Sequence, residues 1–560
     1  MNSLLSKAVL PLGLVACSVA FAQTPPNAGS LNQQIEREQA PPAPAKAIPE
    51  IRIEQGTTPA TAASNTQKIM VRALRVTGAQ VYTEAALVDV AGFNENRELT
   101  LGELRGMASK IALYYHQHGY LLAQAYLPAQ DIKDGIVTIA VLEGRYDKIT
   151  LRNSSNLSDG LARSLLSDLN SREAVSIAPL ETSLLLLSDL PGVNVKSTLV
   201  PGASVGASDL IVDVTPGRRV TGSVNLDNTG NRYTGANRAG ATININDPTG
   251  HGDVATLQAL SSGSGLNYAR ASYQAQIGRA KAGVAYASMR YRLEQEFESL
   301  HANGTAQIAS VFGSVPLIRS RNNNLYAVVN FDAKTFQDNV DSTSTRADKK
   351  ARTAMASLTG DHQDGFGGGG LSTYALTWTS GEIDIGSAAA RANDAATVQS
   401  NGHFDKLGFN AMRLQSVTET VSLYASLNGQ LASKNLDTSE KMELGGANGV
   451  RAYPEGEAYA DQGYVLNLEA RALLPRLSER QWGQMQLVGF VDTGTATLNK
   501  NPWTSGQNRR TLSGVGVGLK WADNDNFVVK AYYAHKLGNA DATSAPDESG
   551  RFWLQAAKYF

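Results

Sequence analysis

Gly202-Ala203-Ser204-Val205-Gly206 fits the Gly-x-Ser-x-Gly pattern of a serine nucleophile, which needs a strand, a sharp turn and a helix to present the hydroxyl. Here the flanking residues predict two short strands, so the stretch reads as a flexible hairpin loop. His116 and His118 stand two apart at the end of a predicted helix and point to different sides; no cysteine or third histidine lies near them to complete a metal site. The glycines 367–370 and the alternation Gly514, Gly516, Gly518 lack the strand-loop-helix setting of a phosphate cradle. They predict a turn and a small-residue strand face, respectively. No catalytic, cofactor-binding or metal-binding set results, and the chain is not expected to be an enzyme.

Two carboxylates are placed differently. Along Tyr464 to Leu474, Glu469 is in phase with Asn467 and Arg471 and out of phase with Leu466, Leu468 and Ala470. Along Met485 to Asp492, the apolar set is Leu487, Gly489 and Val491, which leaves Asp492 in phase with Gln486. Side chains alternate between the two faces of a strand. Both acids therefore point away from the apolar wall, on strands that a short hairpin makes neighbours.

Those strands belong to a long segment of one kind. From Arg218 to Phe560, 343 residues, helical periodicity disappears. Val421, Leu423, Ala425, Leu427, Gly429 and Leu431 alternate with Ser422, Tyr424, Ser426, Asn428 and Gln430, and Ala241 to Asn246 and Phe527 to His535 do the same. One apolar and one polar wall at this length mark a transmembrane barrel with a wet interior. With spanning strands of about 9–11 residues and their loops, the segment makes roughly 16 strands. A soluble sandwich or propeller would alternate too, but no repeat signature is present. Phe552, Leu554, Ala556 and Phe560 share one face of a final strand that ends in an aromatic residue, similar to the sorting signal of bacterial outer-membrane barrels. After residue 22 there is no run of 18 apolar residues, so a span must be built from strands in a closed barrel, which satisfies every backbone group in lipid.

Two α/β modules precede the barrel. The first predicts a strand Val71–Val76, helices Thr83–Val90 and Thr100–His118, and strands Leu122–Leu127 and Gly135–Leu142. Thr100 with Glu103 forms a capping box, and Leu104, Ala108, Ile111, Ala112 and Tyr115 share one face of the longer helix. The second repeats the order with Asp147–Leu151, Ser158–Ser167, Pro179–Leu190, Val193–Val200 and Asp209–Val214. Each module predicts a three-stranded sheet covered by two helices on one face.

Residues 23–68 are rich in Pro, Ala, Thr, Gln and Ser and cannot bury a core. Within them Ser30 to Gln39 predicts a short helix, capped by Ser30 and carrying Leu31 and Ile35. The first 22 residues read as an export signal: Lys7, an apolar run Ala8–Val15, then Ala20-Phe21-Ala22. A competing reading makes Leu14-Val15-Ala16-Cys17 a lipoprotein box with Cys17 acylated. Cys17 is the only cysteine, so no intramolecular disulfide is expected. With 50 basic and 51 acidic residues and no basic block, nucleic acid is not an expected partner. The expected division is export signal 1–22, helix and linker 23–68, modules 69–145 and 146–216, and barrel 217–560.

Four stretches give this organisation a family. They are His118-Gly119-Tyr120 with Leu127-Pro128 and Val141-Leu142-Glu143-Gly144; Leu226-Asp227-Asn228 with Thr234-Gly235 and Asp247-Pro248-Thr249-Gly250-His251-Gly252-Asp253; Gly449-Val450-Arg451-Ala452-Tyr453; and Phe490-Val491-Asp492-Thr493-Gly494. Over nearly its whole length the chain resembles the TpsB transporters of two-partner secretion, the FhaC-, ShlB- and CdiB-like branch of the POTRA-barrel superfamily. The resemblance implies a mainly β fold: a transmembrane β-barrel of about 16 strands, two α/β POTRA domains, and an N-terminal helix able to lodge in the barrel as a plug through Leu31 and Ile35.

The resemblance also implies that Arg451 stands on a loop tip folded back into the pore and meets Glu469 and Asp492, with Tyr453, Phe490 and Gly494 around the same lock. A guanidinium can hold a carboxylate there in two parallel hydrogen bonds. Ala452 replaces the family's glycine, and would be strained if the tip required positive φ.

The implied function is an outer-membrane pore of a Gram-negative bacterium, with the POTRA domains in the periplasm. These domains recognise a large TpsA-type exoprotein, a haemolysin, adhesin, contact-dependent toxin or haem-scavenging protein, and pass it out unfolded. An unfolded client can add itself as a strand to a sheet edge; the expected contacts lie in the groove between the second helix and second strand of the first module, at Tyr115, Leu122, Ala125 and Leu127. Expected further partners are outer-membrane lipid and the barrel assembly machinery, with a single copy as the working unit and no cofactor. The alternative is a barrel assembly factor of the same superfamily. The two modules, the N-terminal helix and the Asp247–Asp253 stretch favour secretion. A passive porin would have no use for the duplicated front end.

Overall fold

A wall of alternating residues is stable in lipid only if its strands leave no open edge. The computed structural model describes residues 25–37, 49–53, 68–523 and 526–560, and in it sixteen antiparallel strands, from Val220–Asp227 to Gly550–Tyr559, form a closed barrel. Closure pairs Ser223–Asp227 with Gln555–Tyr559. Phe560 then exchanges backbone hydrogen bonds with Gly222 in both directions, each at 3.1 Å. Leu423, Leu431, Leu487, Val491 and Phe552 are exposed on the outer wall, while Ser426, Gln430 and Asn467 are buried inside. The alternation seen in the sequence is thus lipid against lumen. Strand length varies around the barrel: Ala302–Arg319, Asn323–Val340 and Thr345–Asp364 have 18, 18 and 20 residues, whereas the closing strands have 8 and 10. Since about 9–11 residues cross a bilayer, one side of the wall rises well beyond it.

The described front end begins with helix α1 (Ala28–Arg37) and strand β1 (Glu50–Ile53). The first module contains β2 (Lys68–Val71), β3 (Ala73–Thr77), α2 (Glu84–Ala91), β4 (Arg97–Thr100), α3 (Leu101–Gln117), β5 (Gln124–Tyr126) and β6 (Ile136–Leu142). Its sheet has the order β3-β6-β5. The expected first strand is interrupted at Arg72, whose N–H turns aside to the Gly135 carbonyl at 2.8 Å. Its first half pairs with β4, a strand the sequence reading lacks. Thr100 caps α3 as expected: its hydroxyl accepts the Glu103 N–H at 3.2 Å and Glu103 accepts the Thr100 N–H at 2.7 Å.

The second module contains β7 (Arg145–Asn153), α4 (Asp159–Leu165), α5 (Ile177–Ser188), β8 (Val193–Pro201) and β9 (Ala207–Pro216). Its sheet has four strands, not three, in the order β1-β8-β9-β7. The added strand comes from the stretch expected to be linker. Residues 202–206 are the turn between β8 and β9. In α1 the cap is Asn27, not Ser30: Asn27 Oδ1 accepts the Ser30 N–H and Ser30 Oγ accepts the Asn27 N–H, both at 3.0 Å. The expected export segment with Cys17, and the expected helix residues Glu38 and Gln39, lie outside the described residues.

Glu143 ties the front of the first module together. Its buried carboxylate accepts the N–H groups of Gln80 (2.6 Å) and Val81 (2.7 Å), the Tyr115 hydroxyl (3.0 Å) and the Arg145 guanidinium (2.8 Å). Burial pushes its pKa up, but the N–H groups of Val81 and Gln80, with Tyr115 and Arg145, more than reverse this and hold it below the ordinary carboxylate range. A depressed folded pKa contributes stability that is present above the unfolded pKa and lost as pH falls through the folded one. Glu143→Ala should abolish that part of the acid dependence and cost about 1–3 kcal/mol through the unsatisfied N–H groups. Amide exchange at Gln80 and Val81 measures it; unchanged protection at neutral pH would remove the node.

Candidate functional site

The lumen is crossed by two bodies, a loop tip and α1. The loop leaves the strand Val421–Ala432, turns inward, and brings Gly449–Tyr453 against the strands Gln462–Leu473 and Gln484–Thr497. Those two strands pair Asn467 with Asp492 and Glu469 with Phe490. Arg451, 5% exposed, meets a wholly buried Asp492. Its Nε donates to Asp492 Oδ2 at 2.9 Å, one terminal nitrogen to Asp492 Oδ1 at 2.8 Å, and the other to Glu469 Oε1 at 2.7 Å. The Arg451 backbone N–H also reaches Asp492, at 3.1 Å. Arg471 holds the second oxygen of Glu469 at 2.7 Å. The structure therefore brings together the arginine and both carboxylates picked out by strand parity.

Aromatic rings close the site. The Arg451 guanidinium lies over Phe490, 3.5 Å from the ring centroid, where the ring's negative face attracts it. Trp553 of the last strand donates to the Arg451 carbonyl at 2.7 Å, which ties the loop tip to the closing strand. Tyr453 is fully buried, its hydroxyl donating to the Ala540 carbonyl at 3.0 Å. Gly494 packs under Leu444, and a Cβ there would lie 3.1 Å from that side chain.

Ala452 is not among the positive-φ residues, so alanine is unstrained at the tip. Its Cβ faces Gly514, and a Cβ built on Gly514 would stand 2.5 Å from it. The small-residue face of Gly514, Gly516 and Gly518 is thus a lane under Ala452, Phe490 and Tyr532. Gly514→Ala should dislodge the tip, and the compensating Ala452→Gly should restore it. Protease accessibility of the tip in the single and double variants checks this; equal exposure in both would contradict the contact.

The helix α1 lies against the inner face of the strands Ala280–Arg292, Ala302–Arg319 and Asn323–Val340. Leu31 and Ile35 are buried against a wall that includes Tyr268, Met289, Tyr291 and Phe336. Asp338 accepts the Ala28 N–H at 2.7 Å and the Tyr291 hydroxyl at 2.6 Å, a carboxylate at the positive end of the helix. Gln34 donates to the Tyr459 hydroxyl at 2.7 Å, and Arg37 pairs with Glu443 at 3.4 Å. Lys334 bridges Glu440 (3.1 Å) and Glu36 (3.8 Å), so helix, loop and wall share charges. The sequence reading lacks these residues; the parity of Lys334, Phe336 and Asp338 on one strand was the available signal. A cavity of about 280 Å³, lined by Gln33, Arg37, Thr377, Asn410 and Asn428 among others, remains beside the helix.

The Asp247–Asp253 stretch is a turn between barrel strands that seats the second module. The Gly250 carbonyl accepts the Ser158 N–H at 2.8 Å, and the Asp247 carbonyl accepts Asn156 Nδ2 at 3.0 Å. Arg319, at another turn, grips Asp189 through two hydrogen bonds of 2.7 and 2.8 Å. Arg321 meets Glu181 at 2.6 Å, and Arg279 meets Asp168.

Of the expected groove residues, Tyr115 is wholly buried in the first module's core, with its hydroxyl on Glu143. Leu122 packs toward the second module's core, and Ala125 and Leu127 are half-buried over the first. His116 and His118 each engage a backbone carbonyl, of Ala123 at 2.8 Å and Tyr114 at 2.7 Å.

Set beside known proteins, residues 206–521 match the model of the haemolysin secretion/activation protein ShlB/FhaC/HecB, and residues 69–144 match the ShlB-type POTRA domain. The heme/hemopexin transporter protein HuxB of Haemophilus influenzae is 29% identical over 98% of this chain and 97% of its own length. The outer membrane transporter CdiB of Dickeya dadantii is 24% identical over 76% of each. The solved structure of CdiB from Escherichia coli superposes with a TM-score of 0.70 at 20% identity, covering 90% of this chain and 93% of that one.

Proposed function

We propose that this chain, which belongs to the haemolysin secretion/activation family, exports its client through the barrel lumen once α1 has left it, with the Arg451 tip held against the wall. The chain is an outer-membrane transporter of two-partner secretion, its POTRA domains lie in the periplasm, and it works with a TpsA-type exoprotein. The observation that carries the gating reading is α1 itself. A ten-residue helix that is no part of the barrel's backbone ladder, seated through Leu31 and Ile35 and a few side-chain polar contacts to Asp338, Tyr459, Lys334 and Glu443, is a removable occupant of the path.

The finer assignments are ours. The residues around Arg451 form the lock and Leu31 and Ile35 seat the plug. The groove beside β5 receives the client, with Tyr115 shaping it from within. The domain limits are 1–22, 23–68, 69–145, 146–216 and 217–560. The chain works as a single copy, inserted by the barrel assembly machinery, with no enzymatic step. End-to-end similarity to HuxB favours a client that serves haem acquisition. Co-expression with candidate TpsA-type exoproteins tests the function: the cognate client should reach the medium only with this chain present. If client stayed in the periplasm while other barrels lost abundance without this chain, assembly factor would replace exporter.

A further inference from the structure

One edge of the second module's sheet is covered by the chain's own tether. β1 lies parallel on β8, with Glu50, Ile51, Arg52 and Ile53 opposite Lys196, Ser197, Thr198 and Leu199. The cover is slight. Within the strand Ile51 packs on the module's core, the preceding Pro49 is buried, and one side-chain hydrogen bond assists, from Ser197 Oγ to the Glu50 carbonyl at 3.3 Å. Arg52 is exposed and pairs with Glu50 on its own strand. A short parallel pairing with few buried apolar contacts lies at the low end of local stability.

What it covers is extensive. β8 has nine residues against the four of β1, and Val193, Val195, Ser197 and Leu199 are buried toward the core while Asn194 and Lys196 face water. By seating β1, the edge shows the ligand it takes: an extended backbone with a branched apolar side chain turned to the core and no demand on the outward residues. An unfolded polypeptide supplies this by strand addition.

We infer that the β8 edge is a docking site for an extended segment of the client, which displaces β1. The inference rests on the transport reading and adds a second contact to the first-module groove. Docking there is coupled to the plug. Thirteen Cα steps separate Arg37 from Glu50, a reach of at most about 45 Å. Once β1 is displaced, the next described strand begins at Lys68, thirty-one steps away, a reach of at most about 110 Å. Client arrival thereby lengthens the leash on α1.

The test uses the full-length chain carrying Arg52→Cys and Thr198→Cys, register partners that both point off the core. Oxidation should lower client secretion about tenfold or more, and reductant should restore it. Each single variant should secrete normally; an unsubstituted chain that secretes no client would count against the transport reading, not against this site. In a second arm, a photo-crosslinker at Thr198 should capture client, and more of it when Ile51→Gly weakens β1. Normal secretion by the fully cross-linked double variant would overturn the proposal. So would the absence of client adducts at Thr198 in an Ile51→Gly chain that secretes normally.

Discussion

Arg451→Ala should reduce client export to a small fraction of normal while the barrel reaches the outer membrane in near-normal amount. The sixteen strands are held by their backbone ladders, which the substitution does not touch. The loop tip is held mainly by the guanidinium, which spends its donors on Asp492 and Glu469, the remaining holds being neutral or backbone hydrogen bonds such as those of Trp553 and Tyr453. Removing one partner of such a buried set leaves an uncompensated charge, at about 3–5 kcal/mol. Glu469 keeps Arg471, but Asp492 is left with Asn467 and N–H groups. The tip then leaves Phe490 and Trp553, and a long inward loop without its fixed point becomes a mobile obstruction across the client's path. Arg451→Lys separates geometry from charge. Lysine keeps the charge but not the planar fork, so it should recover only part of the export. Secretion assays normalised to surface barrel measure both, and full export by Arg451→Ala would exclude the lock.

The second large effect concerns the plug. Leu31→Asp with Ile35→Asp should raise single-channel conductance several-fold in planar bilayers. Leu31 lies against the apolar wall almost without exposure, and an unpaired carboxylate there carries a large desolvation penalty, so α1 is driven from its seat. Deleting residues 28–37 should give the same open channel. Asp338→Asn should give a milder one, because the helix end loses only a charge, worth about 0.3–1 kcal/mol near a helix terminus. Conductance equal to wild type in the double variant would mean that α1 does not block the lumen.

The sequence revealed most where a single period governed the structure. Strand parity placed Glu469 and Asp492 in the lumen because alternation over a spanning strand allows only one inward face. It also put Leu423, Leu487 and Val491 on the lipid side. Helix caps were partly legible. Thr100 with Glu103 was plain, but Asn27 escaped notice because Ser30, three residues on, is the other half of a reciprocal pair. The strands β1 and β4 were not legible. Four residues in a polar tether carry no period of their own, and Glu50–Ile53 becomes a strand only because β8 offers an edge. The docking role of Asp247–Asp253 was hidden for the same reason: its partners, Ser158 and Asn156, lie about 90 residues upstream and meet it only in the folded chain.

The most direct test of the transport account places a photo-crosslinker inside the barrel wall and another outside it, in cells holding a client stalled part-way by a folded C-terminal domain. Asn410 lines the lumen beside the plug, and Leu376 lies exposed on the outer face of the neighbouring strand. The account predicts client adducts at Asn410 and none at Leu376; a stalled client that never cross-links to Asn410 would contradict passage through the lumen.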